Sequence, residues 1–311
     1  MKVWLLCPGQ GAQRVGMGKD LAERFPAARA VFAAADEALG VALSRLMWDG
    51  PEAELTLTHN AQPAILVHAL AAHAVVREHV DPVGAAGHSL GEYAAYAAVD
   101  ALGLGDAVRL VRRRGELMLE AGAARAGTMA AVLGLTPERV ADVCREASTD
   151  AEVAVAANLN APDQVVISGD PGAVERAGAL LKTAGAKRVL PLKVSGAFHS
   201  PLMAPAADGL RAALAGVPFR DPAAPVVANA SAGPVRDAAT ARRLLGEQLT
   251  APVRWVESMQ RAADLADGAP FVEIGPGNVL AGLLKRCVPG AVATSVGTAA
   301  EMDTFLAQGV A

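Results

Sequence analysis

Two rhythms of apolar residues alternate along the chain. KVWLLCP (2 to 8) is a short unbroken apolar run stopped by Pro8-Gly9, which predicts a buried strand entering a turn. Helical spacing follows over 18 to 38 and 62 to 79. Within the second, AILVHALAAHAVV (64 to 76) is apolar on every face. It is shorter than the roughly 20 residues a membrane span requires and carries His68 and His73, so it predicts a buried helix. VGAAGHSLGEYAAYAAV (83 to 99) runs from an apolar stretch through a glycine-flanked turn into a helix. GDAVRLVRRRGELMLEAG (105 to 122) predicts another helix, with Asp106 near its start and Gly122 just past its end.

From about residue 127 the rhythm shortens. TMAAVLGL reads as a strand, PERVADVCREAS as a helix, VAVAANLN and QVVISGD as strands, PGAVERAGALLKTAG as a helix and KRVLPLKV as a strand. That β-α-β-β-α-β order over roughly 70 residues is the ferredoxin-like pattern, with Ala161-Pro162-Asp163 as the hairpin turn. The expected fold class is therefore α/β. A large, α/β-hydrolase-like body with a parallel sheet spans 1–126 and 199–311, and a ferredoxin-like subdomain over 127–198 is inserted in it. PVVANA (225 to 230) and FVEIG (271 to 275) supply further strands of the body.

Composition narrows the function classes. Of 311 residues 52% are hydrophobic but only 4% aromatic, and mean hydropathy is +0.30, as in a packed helix-rich protein. The formal charge is −4, from 28 basic and 32 acidic side chains, so no general basic field exists to attract nucleic acid. Cys7, Cys144 and Cys287 are scattered without metal-ligand spacing and read as core filler in a reducing cytoplasm; no metal or cofactor is implied. The opening MKVWLLCPGQ has too short an apolar run for a signal peptide.

Gly87-His88-Ser89-Leu90-Gly91 carries the chemistry. G-x-S-x-G between a strand and a helix is the setting of a nucleophile elbow, where serine sits on a strained turn at a helix N-terminus. A serine nucleophile needs a base. Of the six histidines, His59, His68, His73 and His79 lie in or beside one helix, and His88 adjoins the serine on a turn whose side chains diverge. Elimination leaves His199, in VSGAFHSPLM just after the last strand of the insert.

Eight stretches, in order, carry a resemblance: PGQGAQ (8 to 13), AQPA (61 to 64), GHSLGEY (87 to 93), RRRGELM (112 to 118), NLNAPDQVVISG (158 to 169), GAFHSPLM (196 to 203), EQLTAPVRW (247 to 255) and EIGPGNVL (273 to 280). Over nearly its whole length the chain resembles the malonyl-CoA:acyl-carrier-protein transacylase family, including the free-standing acyltransferases that serve polyketide synthases. The resemblance implies Ser89 as nucleophile, His199 as base and the Gln248 backbone carbonyl as the group orienting that histidine. It implies an oxyanion hole from the backbone N–H groups of Gln10 and Leu90. Arg114 would grip the free carboxylate of malonate, Gln62 and Asn160 would line the pocket, and Phe198 would crowd a branched extender. Spacing alone does not choose among Arg112, Arg113 and Arg114, although Gly115 suggests a close backbone approach there; the other two are expected at the surface.

The function implied is a ping-pong malonyl transfer from malonyl-CoA to the phosphopantetheine thiol of an acyl carrier protein, in fatty-acid or polyketide synthesis. Lys187 and Arg188, expected at the cleft-facing end of the insert, are candidates for phosphate contacts. The alternatives are a carrier-protein thioester hydrolase of the same architecture, a transferase using a substituted malonyl unit, and a catalytically silent docking module. A hydrolase of uncharged acyl chains would have no use for a buried cation, and a docking module none for an intact dyad.

Overall fold

The computed structural model describes residues 1–308. The chain opens with β1 (Lys2–Cys7) and, after a series of helices ending in Thr58–Val76, reaches β2 (Asp81–Gly87). Helices Gly91–Ala98 and Leu104–Ala124 follow. Next come β3 (Thr128–Leu133), β4 (Ala154–Ala161), β5 (Gln164–Gly169) and β6 (Arg188–Pro191), and then β7 (Val226–Val227), β8 (Pro234–Val235), β9 (Phe271–Glu273) and β10 (Ala293–Ser295).

Six strands form one sheet in the order β10-β9-β1-β2-β7-β8, parallel throughout except for β8. The unbroken apolar run of β1 has the burial expected of a central parallel strand covered on both faces. Val3, Leu5 and Cys7 point into a core shared with the helix Thr58–Val76, while Trp4 and Leu6 point into a second core with Trp255, Met259 and Leu284.

The other four strands form an antiparallel sheet in the order β4-β5-β3-β6. Its two-residue turn, Pro162-Asp163, closes on the pair Ala161–Gln164. Helices Pro137–Ala147 and Pro171–Thr183 bury Val132, Val165 and Ile167 in a core of their own. Because strand side chains alternate, Met129 and Val166 face the opposite way and join the core of the large body. The end of β4 is tied to that body through Leu159 N–H to Val253 O at 2.9 Å and Val253 N–H to Ala157 O at 2.8 Å.

Three local expectations change. Phe25 takes an extended conformation and splits the 18-to-38 pattern into helices Lys19–Arg24 and Pro26–Leu39, because Pro26 disfavours a helical residue before it. The helix expected to stop before Gly122 continues to Ala124. Gly122 is instead a contact residue: a Cβ there would lie 2.1 Å from the Ser195 carbonyl oxygen. PVVANA forms only the two-residue β7 and then bends away to place Asn229 near the elbow. No helix among the described residues is long and apolar enough to cross a membrane.

Candidate active site

β1 and β2 are parallel neighbours, paired from Lys2–Asp81 to Cys7–Gly87. Their carboxyl ends therefore release two turns side by side, Pro8-Gly9-Gln10 and His88-Ser89-Leu90, at the edge where ligands bind in open α/β sheets. The second turn is tight. A Cβ on Gly87 would lie 1.9 Å from the Gly91 carbonyl oxygen, and one on Gly91 would lie 2.1 Å from that of Cys7. Ser89 itself is held at φ 53°, a left-handed conformation that non-glycine residues seldom adopt and that marks stored strain. Asn229 braces the turn, its Oδ1 accepting from Ser89 N–H at 2.7 Å and its Nδ2 donating to Gly87 O at 2.7 Å.

His199 arrives from 110 residues away with its Nε2 2.8 Å from Ser89 Oγ. It too is left-handed, at φ 57°. Its Nδ1 faces the carbonyl oxygens of Gln248 at 3.0 Å and Ala251 at 3.3 Å. Two carbonyl acceptors there fix the proton on Nδ1 and leave the Nε2 lone pair for the serine hydroxyl. Burial, and then the nearby Arg114 cation, push the imidazole pKa down to about 3, so the ring is neutral at neutral pH. The dyad is oriented by backbone carbonyls.

Arg114 comes from the interior of helix Leu104–Ala124 and is only 1% exposed. It donates through Nη1 to Gln62 Oε1 at 2.7 Å and through Nη2 to Ser89 Oγ and Gln248 Oε1, both at 3.0 Å. Its Nε–H meets no acceptor among the described residues, and its guanidinium lies 5.5 Å from the Tyr93 ring centroid. Gly115 lets the helix come this close, since a Cβ there would lie 2.6 Å from His59 Cα. Arg113 is solvated as expected. Arg112 is not: it is half-buried and ties the start of helix Thr58–Val76 through His59 O and Asn60 Oδ1.

The Gln10 and Leu90 backbone N–H groups meet no acceptor among the described residues; Leu90 follows Ser89 in the turn, and Gln10 lines the same cleft as Ser89. Above them opens a cleft of about 460 Å³ between the body and the four-stranded sheet. Gln10, Asn160 and Phe198 line it, with Met129 and Val166 from the sheet. Asn160 Oδ1 is 2.8 Å from His88 Nε2, which gives the half-buried His88 a partner away from the serine.

Two further placements differ from the sequence expectation. Gln62 is fully buried behind Arg114, with Nε2 on Met118 Sδ at 3.2 Å, so it supports the arginine and does not form the cleft wall. Lys187 and Arg188 sit at the start of β6, the end remote from the cleft; the chain beyond β6, including Lys193, lines it. The sequence reading also missed Asn229, Glu92 and the side-chain amide of Gln248. Glu92 stood inside the quoted GHSLGEY, but nothing in the pattern marks a helix glutamate as fully buried.

A serine–imidazole pair on a glycine-crowded turn, at the carboxyl ends of two parallel strands, is the arrangement of acyl-transferring α/β enzymes that work through a serine ester. The comparisons with known proteins narrow this class. Residues 4–307 match the acyl transferase domain family, and the chain belongs to it. It is 47% identical over 287 residues to the malonyl CoA-acyl carrier protein transacylase of Bacillus subtilis, covering 92% of this chain and 90% of that one. Among solved structures it is similar to an acyl carrier protein S-malonyltransferase from Vibrio cholerae, with a TM-score of 0.94 and 42% identity over 98% of this chain and 100% of that one. It is also similar to a malonyl-transacylase solved in complex with its type II PKS acyl-carrier protein, with a TM-score of 0.93 and 41% identity over 99% and 100% of the two chains.

Proposed function

We propose that the protein moves a malonyl group from malonyl-CoA to the phosphopantetheine thiol of an acyl carrier protein, through an ester on Ser89. One observation carries the reading: the Ser89 oxygen lies 2.8 Å from His199 Nε2 and 3.0 Å from the buried Arg114 cation. The first neighbour makes the hydroxyl a nucleophile. The second is a buried guanidinium within reach of the distal carboxylate of an acyl group on Ser89. The Bacillus subtilis malonyl CoA-acyl carrier protein transacylase and the malonyl-transacylase bound to its acyl-carrier protein, both matched over nearly their whole length, support the same donor and acceptor.

His199 Nε2 takes the Ser89 proton as Oγ attacks the thioester carbon, and the oxyanion is held by Gln10 and Leu90 N–H. Losing one such donor typically costs 10²- to 10³-fold in rate, about 3–4 kcal/mol. The C–S bond then breaks, and CoA leaves as a thiol with the proton from His199. The ester oxygen is a poor acceptor for Arg114 Nη2, which turns with Nε to the malonyl carboxylate, a planar partner for the guanidinium fork. The carrier thiol enters the same cleft, gives its proton to His199 and attacks the ester carbon, and Ser89 recovers its proton as it leaves. Asn160 lines the path of the pantetheine arm, and Phe198 narrows the space at the α-carbon. In fold terms we read the large body as α/β-hydrolase-like and the four-stranded unit as a ferredoxin-like insert, on the strand order and the separate cores.

Intact-mass spectrometry after mixing with malonyl-CoA tests the proposal. A malonyl adduct is expected on the wild type and none on Ser89→Ala, and holo carrier protein should then discharge it. Release of free malonate faster than transfer to carrier would mean a hydrolase and overturn the reading.

A further inference from the structure

We infer that Glu92 is the positioning residue of this site: its buried carboxylate fixes the Gln248 amide, and through it aims Arg114 at the substrate carboxylate. Glu92 is the second residue of helix Gly91–Ala98, directly after the elbow, and is fully buried. Its Oε2 accepts from Gln248 Nε2 at 2.7 Å and from Asn229 N–H at 3.0 Å. Both donors belong to residues that touch the reacting groups. Gln248 holds His199 by its backbone carbonyl, Arg114 by Oε1 and the Ser89 carbonyl by Nε2. Asn229 holds the Ser89 amide.

The direction of the Gln248 amide decides what Arg114 meets. With Nε2 drawn to Glu92 Oε2 and Ser89 O, Oε1 must face the guanidinium. Turned over, its NH₂ would oppose Arg114, two donors head to head, and its oxygen would oppose a carboxylate, two acceptors head to head. Glu92 forbids that rotamer at the nitrogen end of the amide, as Arg114 does at its oxygen end. The carboxylate is also the nearby anion for the buried Arg114 charge. Burial pushes its pKa up to about 7, while the Asn229 N–H, the Gln248 amide and the Arg114 cation all favour its ionised form. Among the described residues its Oε1 has no donor, so the contacts run through one oxygen to the two site residues.

The role predicts a change in selectivity as well as in rate. Glu92→Leu keeps much of the volume and removes the acceptor; Glu92→Gln keeps one acceptor oxygen and removes the charge. Rates of acyl-enzyme formation are measured by quenched-flow mass spectrometry with malonyl-CoA and acetyl-CoA. Glu92→Leu is expected to slow malonylation by 10²- to 10³-fold and to lower the malonyl-to-acetyl ratio at least 10-fold. Glu92→Gln is expected to lower that ratio 3- to 10-fold, but to leave it unchanged when Arg114 is already alanine, since coupled residues are non-additive. Equal losses with both donors, no loss in either variant, or the same ratio change without Arg114 would overturn the role. Should Glu92→Leu fail to fold, the Gln variant and its Arg114→Ala partner decide alone. The inference rests on the malonyl-transfer reading, but fails separately from it: wild-type malonylation tests that reading, and the ratio in the variants tests Glu92.

Discussion

Replacing Arg114 with alanine separates the two tasks assigned to the guanidinium. In the free protein it donates to Gln62, Gln248 and Ser89 Oγ. On the proposed mechanism, in the acylated protein it exchanges the Ser89 contact for a carboxylate. A hydrogen bond to a charged group contributes roughly 1.5–3 kcal/mol, so a two-pronged contact is worth about 3–6 kcal/mol before the cost of drying the carboxylate. Taking about 3 kcal/mol as the net, and about 1.4 kcal/mol per tenfold, Arg114→Ala should lower kcat/KM for malonyl-CoA by about 10²-fold relative to acetyl-CoA. Acetyl transfer should fall far less, because it loses only the polarising contact on Ser89 Oγ. Arg114→Lys keeps the charge without the fork and should recover only part of the malonyl preference. The assay is steady-state transfer to holo carrier protein from each donor, with folding checked by thermal unfolding. Equal losses for malonyl and acetyl donors would refute the carboxylate role and reduce Arg114 to a brace for the serine.

Three further outcomes follow from geometry away from the arginine. Asn229→Ala removes the acceptor of Ser89 N–H and the donor to Gly87 O, so the acylation rate should fall by one to two orders of magnitude with KM little changed; an unchanged kcat would show that the glycines alone hold the elbow. Gly122→Ala gains about 1 kcal/mol of helix propensity but forces a methyl to 2.1 Å from Ser195 O, so chemical denaturation should show a net loss of about 1–3 kcal/mol; a gain would mean that the segment 195–196 yields freely. His68 is buried with its pKa pushed down to about 4 by desolvation, below its usual 6.5, so its contribution is full above pH 6.5 and is lost as pH falls toward 4. At pH 5 that loss is about 2 kcal/mol, and His68→Gln should lose correspondingly less stability between pH 8 and 5; an identical loss in both proteins would refute it.

The elements legible in the sequence were those whose signal is local. β1 announced itself because a central parallel strand is apolar on both faces, and the elbow because a left-handed serine between crowding backbones requires glycine on each side. The four strands of the second sheet were legible because each fits one short apolar run between turns. β8, β10 and the shortness of β7 were not: Pro234–Val235 and Ala293–Ser295 carry no apolar run like the one that marks β9, and strands of two or three residues are defined by their neighbours. Gly122 was misplaced for a related reason. The same residue type that ends helices is also required where a second backbone crosses a helix, and only the crossing chain tells the two apart.

The site divides along the same line. Ser89 was marked as a candidate by five residues, and His199 by elimination, since few histidines exist to choose from; the structure sets the two 2.8 Å apart. The groups assigned to tune the pair are backbone atoms or ordinary polar side chains: the carbonyls of Gln248 and Ala251, the amides of Gln10 and Leu90 on the proposed mechanism, and Asn229 and Glu92. A carbonyl has no sequence identity at all. A glutamate on a helix next to two tyrosines reads as a solvated charge until the fold buries it against two residues more than 130 positions away. Such a carboxylate, dry and 2.7 Å from a glutamine that also holds a buried arginine, is costly to keep. A structural need alone would be met more cheaply by an apolar side chain of the same size. Its place beneath the elbow is what the inferred role in aiming Arg114 accounts for.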